Sequence, residues 1–313
     1  EWVPNEYGGN HNLQAIGLLQ EFNRVTHAQF PGTVTIAEES TAWAGVSRPT
    51  DAGGLGVSRE WNRGGMNDTL RYMRRAPVHR RHHQNDLTFS LLYAFTENFI
   101  LPFSHDEVVH MKGSLISQMP GDLWQKFANL RLLLSYQWTH PGKKLMFMGG
   151  ELAQWHEWNH EQQLQWELLQ WPNHAGMQRL LADLNAVYRR EPALHELEFD
   201  HAGFEWIDCN NAAESLLCYL RKAKDPHDFV VVCCNFTPVV RHNYAVGVPQ
   251  GGRYQEILNS DSQHYAGSNA GNGLGVVAEQ PGSHGRPFTL RVTLPPLAAV
   301  IFKPQRQSDP ARD

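Results

Sequence analysis

Long apolar stretches and runs of basic residues are both missing from this 313-residue sequence. No apolar segment reaches the roughly 18 residues of a membrane-spanning helix, which argues against an integral membrane protein. The formal net charge is −5 and no stripe of Lys or Arg is present, so nothing favours binding to nucleic acid or an anionic membrane. Residues 1–5 do not resemble a signal peptide, and we expect a cytoplasmic protein with a neutral partner.

Cysteine is scarce. The chain has four cysteines, which lie within predicted strands and lack the spacing of a zinc site: Cys209, Cys218, Cys233 and Cys234. We interpret them as reduced core residues. Nothing in the sequence indicates a metal ion or an organic cofactor.

Aromatic residues, in contrast, are plentiful. The apolar fraction is 41%, with 10 Trp, 14 Phe and 9 Tyr, which is typical of a folded globular protein. Tryptophan faces also stack on sugar rings, although core packing is the commoner role of any single Trp.

The first part of the sequence alternates short strands with amphipathic helices, the pattern of an α/β domain with parallel strands. Strands are predicted at 33–37, near 54–58, at 99–103 and at 144–148. Helices are predicted around residues 67–75, from an N-cap at Asp122 to His140, and through Met177 and Tyr188. About four strand–helix units result, whereas a closed (β/α)₈ barrel needs eight, so the pattern predicts half a barrel.

After Pro192 the helical period ends and short strands separated by turn residues follow, which predicts a small antiparallel sandwich. The predicted strands are 204–209, 215–221, 229–235, 254–258, 288–294 and 298–302. The segment 262–283 is rich in Gly, Ser and Asn and has no readable pattern. We therefore predict a partial (β/α)₈ barrel over 1–195, an all-β sandwich domain over 196–305 and a disordered tail over 306–313.

Acidic residues follow two of the predicted barrel strands, where catalytic groups of such barrels gather. Glu38 follows the first strand, and His105 and Asp106 follow the third. Cleavage of a glycosidic bond needs an acid for the leaving oxygen and a carboxylate that stabilises positive charge, which Glu38 and Asp106 could supply. A helix cap or a surface ion pair is the alternative reading of each. The residues alone therefore indicate an α/β-barrel enzyme acting on a carbohydrate.

Two segments resemble signature regions of the bacterial-type 1,4-α-glucan branching enzymes of the α-amylase superfamily. Residues 35–41 are similar to the third region, and residues 101–110 to the fourth. Further segments resemble the same family in the same order, over almost the whole chain: 53–56, 60–62, 119–122, 124–131, 141–145, 147–149, 157–160, 235–239, 256–261 and 267–273.

The resemblance implies a role for each matching residue. Glu38 would be the general acid/base, and Asp106 the carboxylate that holds sugar hydroxyls more tightly in the transition state. His105 would hydrogen-bond the sugar beside the cleavage point, and Glu39 and Trp61 also fall among the substrate-binding candidates. Glu39, like Glu107, is expected to support the site rather than react.

The resemblance also implies a retaining transglycosylase that cuts an α-1,4-glucan and joins the chain to a 6-hydroxyl, forming the α-1,6 branches of glycogen. Its nucleophilic Asp belongs to a signature region one strand earlier, and no residue of this sequence is assigned that role. This chain alone is therefore expected to be inactive. A monomer is expected, with an α-1,4-glucan as the partner and no nucleic acid, membrane or cofactor.

Some positions depart from the family pattern and concern the acceptor side of the site. The family usually has Trp at the position of Gly65 and His at that of Asn67. Asn is common at the position of Gly150, and Gly is common at that of Met111. An α-glucan hydrolase, isoamylase-like or trehalose-releasing, and a non-catalytic glucan-binding protein are the alternatives.

Overall fold

The chain forms a parallel sheet with its helices and then an antiparallel sheet. The computed structural model describes residues 2–39 and 43–305. Ser40 and Thr41 of the first motif, and the predicted tail 306–313, lie outside the described residues.

The strands of the parallel sheet lie side by side in sequence order. They are β1 (Ile36–Ala37), β2 (Arg59–Trp61), β3 (Phe99–Phe103) and β4 (Lys143–Met146). Ala37 pairs with Glu60, and Phe103 pairs with Met146. Parallel strands added one after another, with helices between them, form the wall of a (β/α)₈ barrel. The predicted half-barrel is confirmed.

Helices lie before, between and after the strands of the parallel sheet. They are α1 (Leu13–Gln29), α2 (Arg63–Met73), α3 (Pro77–Arg80), α4 (Asn85–Thr88), α5 (Leu123–Thr139) and α6 (Pro172–Arg190). The Asp122 side chain accepts a hydrogen bond from the Gln125 N–H and caps α5, as predicted. None of these helices, within the described residues, is long and apolar enough to cross a membrane.

The second part of the chain is antiparallel throughout. Its strands are β5 (Phe204–Asp208), β6 (Leu216–Lys222), β7 (Phe229–Asn235), β8 (Arg241–Val248), β9 (Gly252–Asn259), β10 (Val276–Glu279), β11 (Phe288–Leu294) and β12 (Ala298–Pro304). The order in the sheet is β5-β6-β7-β12-β9-β10-β11-β8. The sheet folds around its own apolar core, in which Val231, Val246 and Leu290 are fully buried, so the predicted sandwich is confirmed.

A second apolar core joins the two parts. It contains Leu134 of α5 together with Val232 of β7 and Ile301 of β12. Because α5 is covered by the barrel sheet on one side and by the sandwich on the other, every residue from Phe127 to Thr139 is buried. The first helix, α1, differs, since its Leu19 and Phe22 are 43% and 54% exposed.

The first two predicted barrel strands need correction, and two strands of the second sheet were not predicted. The second barrel strand is Arg59–Trp61 rather than 54–58, because Gly56 adopts φ 71° and a Cβ on Gly54 would lie 2.1 Å from the Arg48 carbonyl oxygen. The first strand is limited to Ile36–Ala37. Strands β8 and β10 were missed, the latter inside the segment that had no readable pattern.

The cysteines are free thiols, and all are buried except Cys209, which is partly exposed.

Candidate active site

Glu38 and Asp106 follow β1 and β3, the two strands on either side of β2 in the parallel sheet. Glu38 comes directly after β1, and Asp106 lies in a short 3₁₀ turn, His105–Glu107, directly after β3. Since the strands are parallel, their carboxyl ends meet at one edge, where barrel enzymes place their chemistry.

The guanidinium of Arg63 joins these two carboxylates. Its Nη1 lies 2.5 Å from Glu38 Oε1, and its Nη2 lies 3.3 Å from Asp106 Oδ2. Arg63 opens α2, directly after β2, so three consecutive strand ends contribute to one cluster. All three side chains are partly exposed, at 36%, 43% and 30% for Arg63, Glu38 and Asp106, so a ligand could reach them.

The turn that presents Asp106 is fixed by Glu107. The Glu107 Oε2 atom accepts hydrogen bonds from the Ser104 N–H at 2.7 Å and from the Ser104 hydroxyl at 2.8 Å. Ser104 Oγ in turn accepts from the Asp106 N–H at 3.2 Å, which completes a capping box. Glu107 is buried, so its contacts agree with the supporting position expected for it.

His105 stands between Asp106 and an open groove. Its Nε2 lies 3.4 Å from Asp106 Oδ1, and its ring packs 5.9 Å from that of Phe147. The groove has a volume of about 630 Å³. It is lined by His105, Val109, His110, His156, Glu157, Trp158, Asn159, His160 and Gln162. Histidine, amide and Trp side chains in one groove suit a neutral, hydroxyl-rich ligand.

Glu39 and Trp61, the other two predicted binding residues, do not line that groove. Trp61 is half-buried at the end of β2, and its Nε1 has no hydrogen-bond partner among the described residues. Beside it, burial raises the pKa of the Glu60 carboxyl to about 7, and the charges of Glu97 and Glu39 add to this effect. Glu39 thus lies near enough to a buried carboxyl for its charge to act on it.

Comparison with known proteins finds relatives that match almost the whole chain. The chain is 61% identical over 303 residues to the 1,4-alpha-glucan branching enzyme GlgB of Rhodopirellula baltica and 57% identical to that of Aquifex aeolicus. Each match covers 97% of this chain, Glu38 and Asp106 included. Over nearly its whole length, the chain therefore resembles the C-terminal part of 1,4-alpha-glucan branching enzymes.

The family members are longer than the chain. It spans 41% of the Rhodopirellula baltica protein and 48% of the Aquifex aeolicus protein, which is less than half the length of each. Residues 206–305 also match the alpha amylase C-terminal all-beta domain, which corresponds to the sandwich.

Solved structures support the fold. The alpha-amylase of H. orenii matches with a TM-score of 0.60 at 12% identity, covering 97% of this chain and 59% of that one. The alpha-amylase of Geobacillus thermoleovorans matches with a TM-score of 0.62 at 14% identity, covering 94% and 58%. At such identities the likeness concerns the fold alone.

Two residues of the site were missed by sequence reasoning. Arg63 was missed because the preceding strand was placed at 54–58, so nothing marked Arg63 as a strand-end residue. Glu157 was noted only within a family-like segment, and its contacts with the loop after Asp106 depend on tertiary structure. An ionisable residue directly after a correctly placed β2 is the signal that would have found Arg63.

Proposed function

We propose that the protein, in its complete form, is a 1,4-α-glucan branching enzyme. It cleaves an α-1,4-glucan chain and transfers it to a 6-hydroxyl, which forms the α-1,6 branches of glycogen. The observation that carries the proposal is the meeting of Glu38 and Asp106 through one guanidinium, in a chain 61% identical to a branching enzyme.

Each residue has a chemical task in this proposal. A carboxylate nucleophile attacks the anomeric carbon while Glu38 protonates the departing glycosidic oxygen. The acceptor 6-hydroxyl then gives its proton to Glu38 and takes the glycosyl group from the nucleophile, which preserves the anomeric configuration. Asp106 and His105 hold hydroxyls of the sugar at the cleavage point, and Asp106 holds them more tightly as positive charge develops.

No residue of this chain is proposed as the nucleophile. We propose that it comes from the barrel strand before β1, in a longer protein that contains this chain. The 313-residue chain by itself would then show no turnover, because the covalent step lacks its nucleophile. The complete protein is further proposed to be a cytoplasmic monomer that acts on glycogen without a cofactor.

The test uses the full-length protein and a linear α-1,4-glucan. New α-1,6 links, counted by the NMR signals of anomeric protons, should appear together with few new reducing ends. Glu38→Gln keeps the shape of the side chain but removes the proton donor, so the rate should fall about 10²–10⁴-fold. New reducing ends without branches would favour the hydrolase instead, and binding without turnover would favour a glucan-binding protein.

A further inference from the structure

The loop that follows the Asp106 turn has an unusual backbone. His110 and Met111 have φ values of 58° and 67°, and Gly113 has a φ of 80°. Glycine adopts this left-handed region easily, but a residue with a side chain does so at a cost in free energy. Two adjacent residues of this kind persist only where surrounding contacts hold them, a feature that concentrates at functional sites.

Glu157 supplies such contacts. Its Oε2 accepts a hydrogen bond from the Met111 N–H at 3.1 Å, and its Oε1 accepts from the Gly113 N–H at 2.6 Å. From the other side, the Lys112 Nζ donates to the Asp106 carbonyl oxygen at 2.5 Å. The loop is therefore connected both to the segment after β4 and to the turn that carries a proposed catalytic carboxylate.

The side chain that this loop presents is not used for packing. Met111 is 96% exposed, more than any other large apolar residue of the described chain. Its neighbour His110 lines the groove beside His105, and so does Glu157. A single exposed apolar residue is common on protein surfaces. Met111, however, is held in a costly backbone conformation next to a residue that lines the groove, which suggests that its exposed side chain has a function.

We propose that Met111, held in place by Glu157, contacts the glucan chain outside the cleavage point and contributes to the choice of chains that the site binds. The flexible thioether side chain packs against apolar surfaces of varied shape, and a pyranose ring offers such a surface through its C–H groups. This inference rests on the proposed function, because it assigns a glucan as the ligand of the groove.

The main test is Met111→Gly in the full-length protein. Glycine accepts a φ of 67° without strain, so the thermal unfolding midpoint should be unchanged or higher. The dissociation constant for a linear malto-oligosaccharide and the KM for a linear glucan should both rise about three- to tenfold, as expected for the loss of one apolar contact. The kcat should change less than twofold, and Met111→Leu should retain most of the affinity.

A second variant tests the part played by Glu157. Glu157→Gln removes one of the two carboxylate acceptors, so the loop should loosen and the dissociation constant should rise. If Glu157 acts through Met111, the same change in the Met111→Gly background should raise the dissociation constant by less than a further twofold. The matched control is Glu161→Gln in the same segment, at a side chain that is 77% exposed, and it should leave the dissociation constant unchanged.

The outcomes separate this inference from the proposed function. A wild-type protein that binds the oligosaccharide in a Met111-dependent way but forms no α-1,6 links would overturn the proposed function alone. An unchanged dissociation constant and KM in Met111→Gly, in a protein that does form branches, would overturn this inference alone.

Discussion

At the scale of single residues, Glu60 is the group whose protonation is most altered near the site. Its Oε2 is buried and has no hydrogen-bond partner among residues 2–39 and 43–305, and the pKa of the carboxyl is raised to about 7, chiefly by burial. In the unfolded chain the same group loses its proton near pH 4.5. Between these values the unfolded state ionises while the folded state keeps its proton, so stability is lost as the pH rises.

The variant Glu60→Gln removes this dependence. Relative to the wild type, its free energy of unfolding should increase by about 1–3 kcal/mol between pH 4.5 and pH 8, and urea unfolding at several pH values measures it. Parallel curves for the two proteins across this range would show that Glu60 ionises normally in the folded protein.

Arg63 shows how residue-scale chemistry depends on strand placement. The acidic residues after β1 and β3 were predicted from sequence because each follows a clear apolar strand. The cation that joins them was not, because β2 has three residues and its central one is the buried carboxyl Glu60. A strand with a charged residue at its centre has no apolar pattern to detect.

At the scale of elements, the 3₁₀ turn after β3 determines where Asp106 lies. Glu107→Ala leaves the buried Ser104 N–H and hydroxyl without their acceptor, which should cost about 1–3 kcal/mol of stability. Because the turn would also lose its fixed geometry, we expect the branching rate of the folded full-length protein to fall more than tenfold.

The control for this variant is another helix cap. Asp122→Ala removes the cap of α5 and should cost about 1 kcal/mol, while the rate of the folded protein stays the same. Chemical unfolding and branching assays on both variants make the comparison. An equal loss of rate in the two would mean that the Glu107 effect is only a general loss of stability.

Elements with strong local patterns were predictable and those shaped by neighbours were not. Strands β3, β7 and β11 were placed correctly from apolar runs bounded by turn residues, and the start of α5 from its Asp122 cap. Strand β8 was missed because its first half is polar or partly exposed, and β10 because its four residues alternate in burial within a Gly- and Asn-rich segment. Both gain their structure by pairing with β11.

At the scale of the whole molecule, Arg221 connects the sandwich to the barrel. This fully buried side chain of β6 donates hydrogen bonds to three carbonyl oxygens, at 2.7 Å to Thr139, 3.2 Å to Leu194 and 3.2 Å to Gly203. Burial lowers the pKa of its guanidinium, and the carboxylate of Glu198 acts in the opposite direction.

Arg221→Met should therefore destabilise the protein by about 3 kcal/mol or more, because three buried carbonyl groups lose their donor. The neighbouring Lys222 makes an exposed ion pair with Glu205, so Lys222→Met should cost less than about 1 kcal/mol. Thermal and denaturant unfolding of the two variants give the comparison, and similar small losses in both would show that Arg221 does not hold the two parts together.

In a branching enzyme of the proposed kind, Glu38 and Asp106 act on the same sugar. The most direct measurement is a crystal structure of the full-length Glu38→Gln variant with a linear malto-oligosaccharide. We predict that residue 38 lies within hydrogen-bond distance of one glycosidic oxygen and that Asp106 binds hydroxyls of the glucose unit attached to it. The proposal would be contradicted if residue 38 and Asp106 contacted different sugars, or if the glucan chain bound away from both side chains.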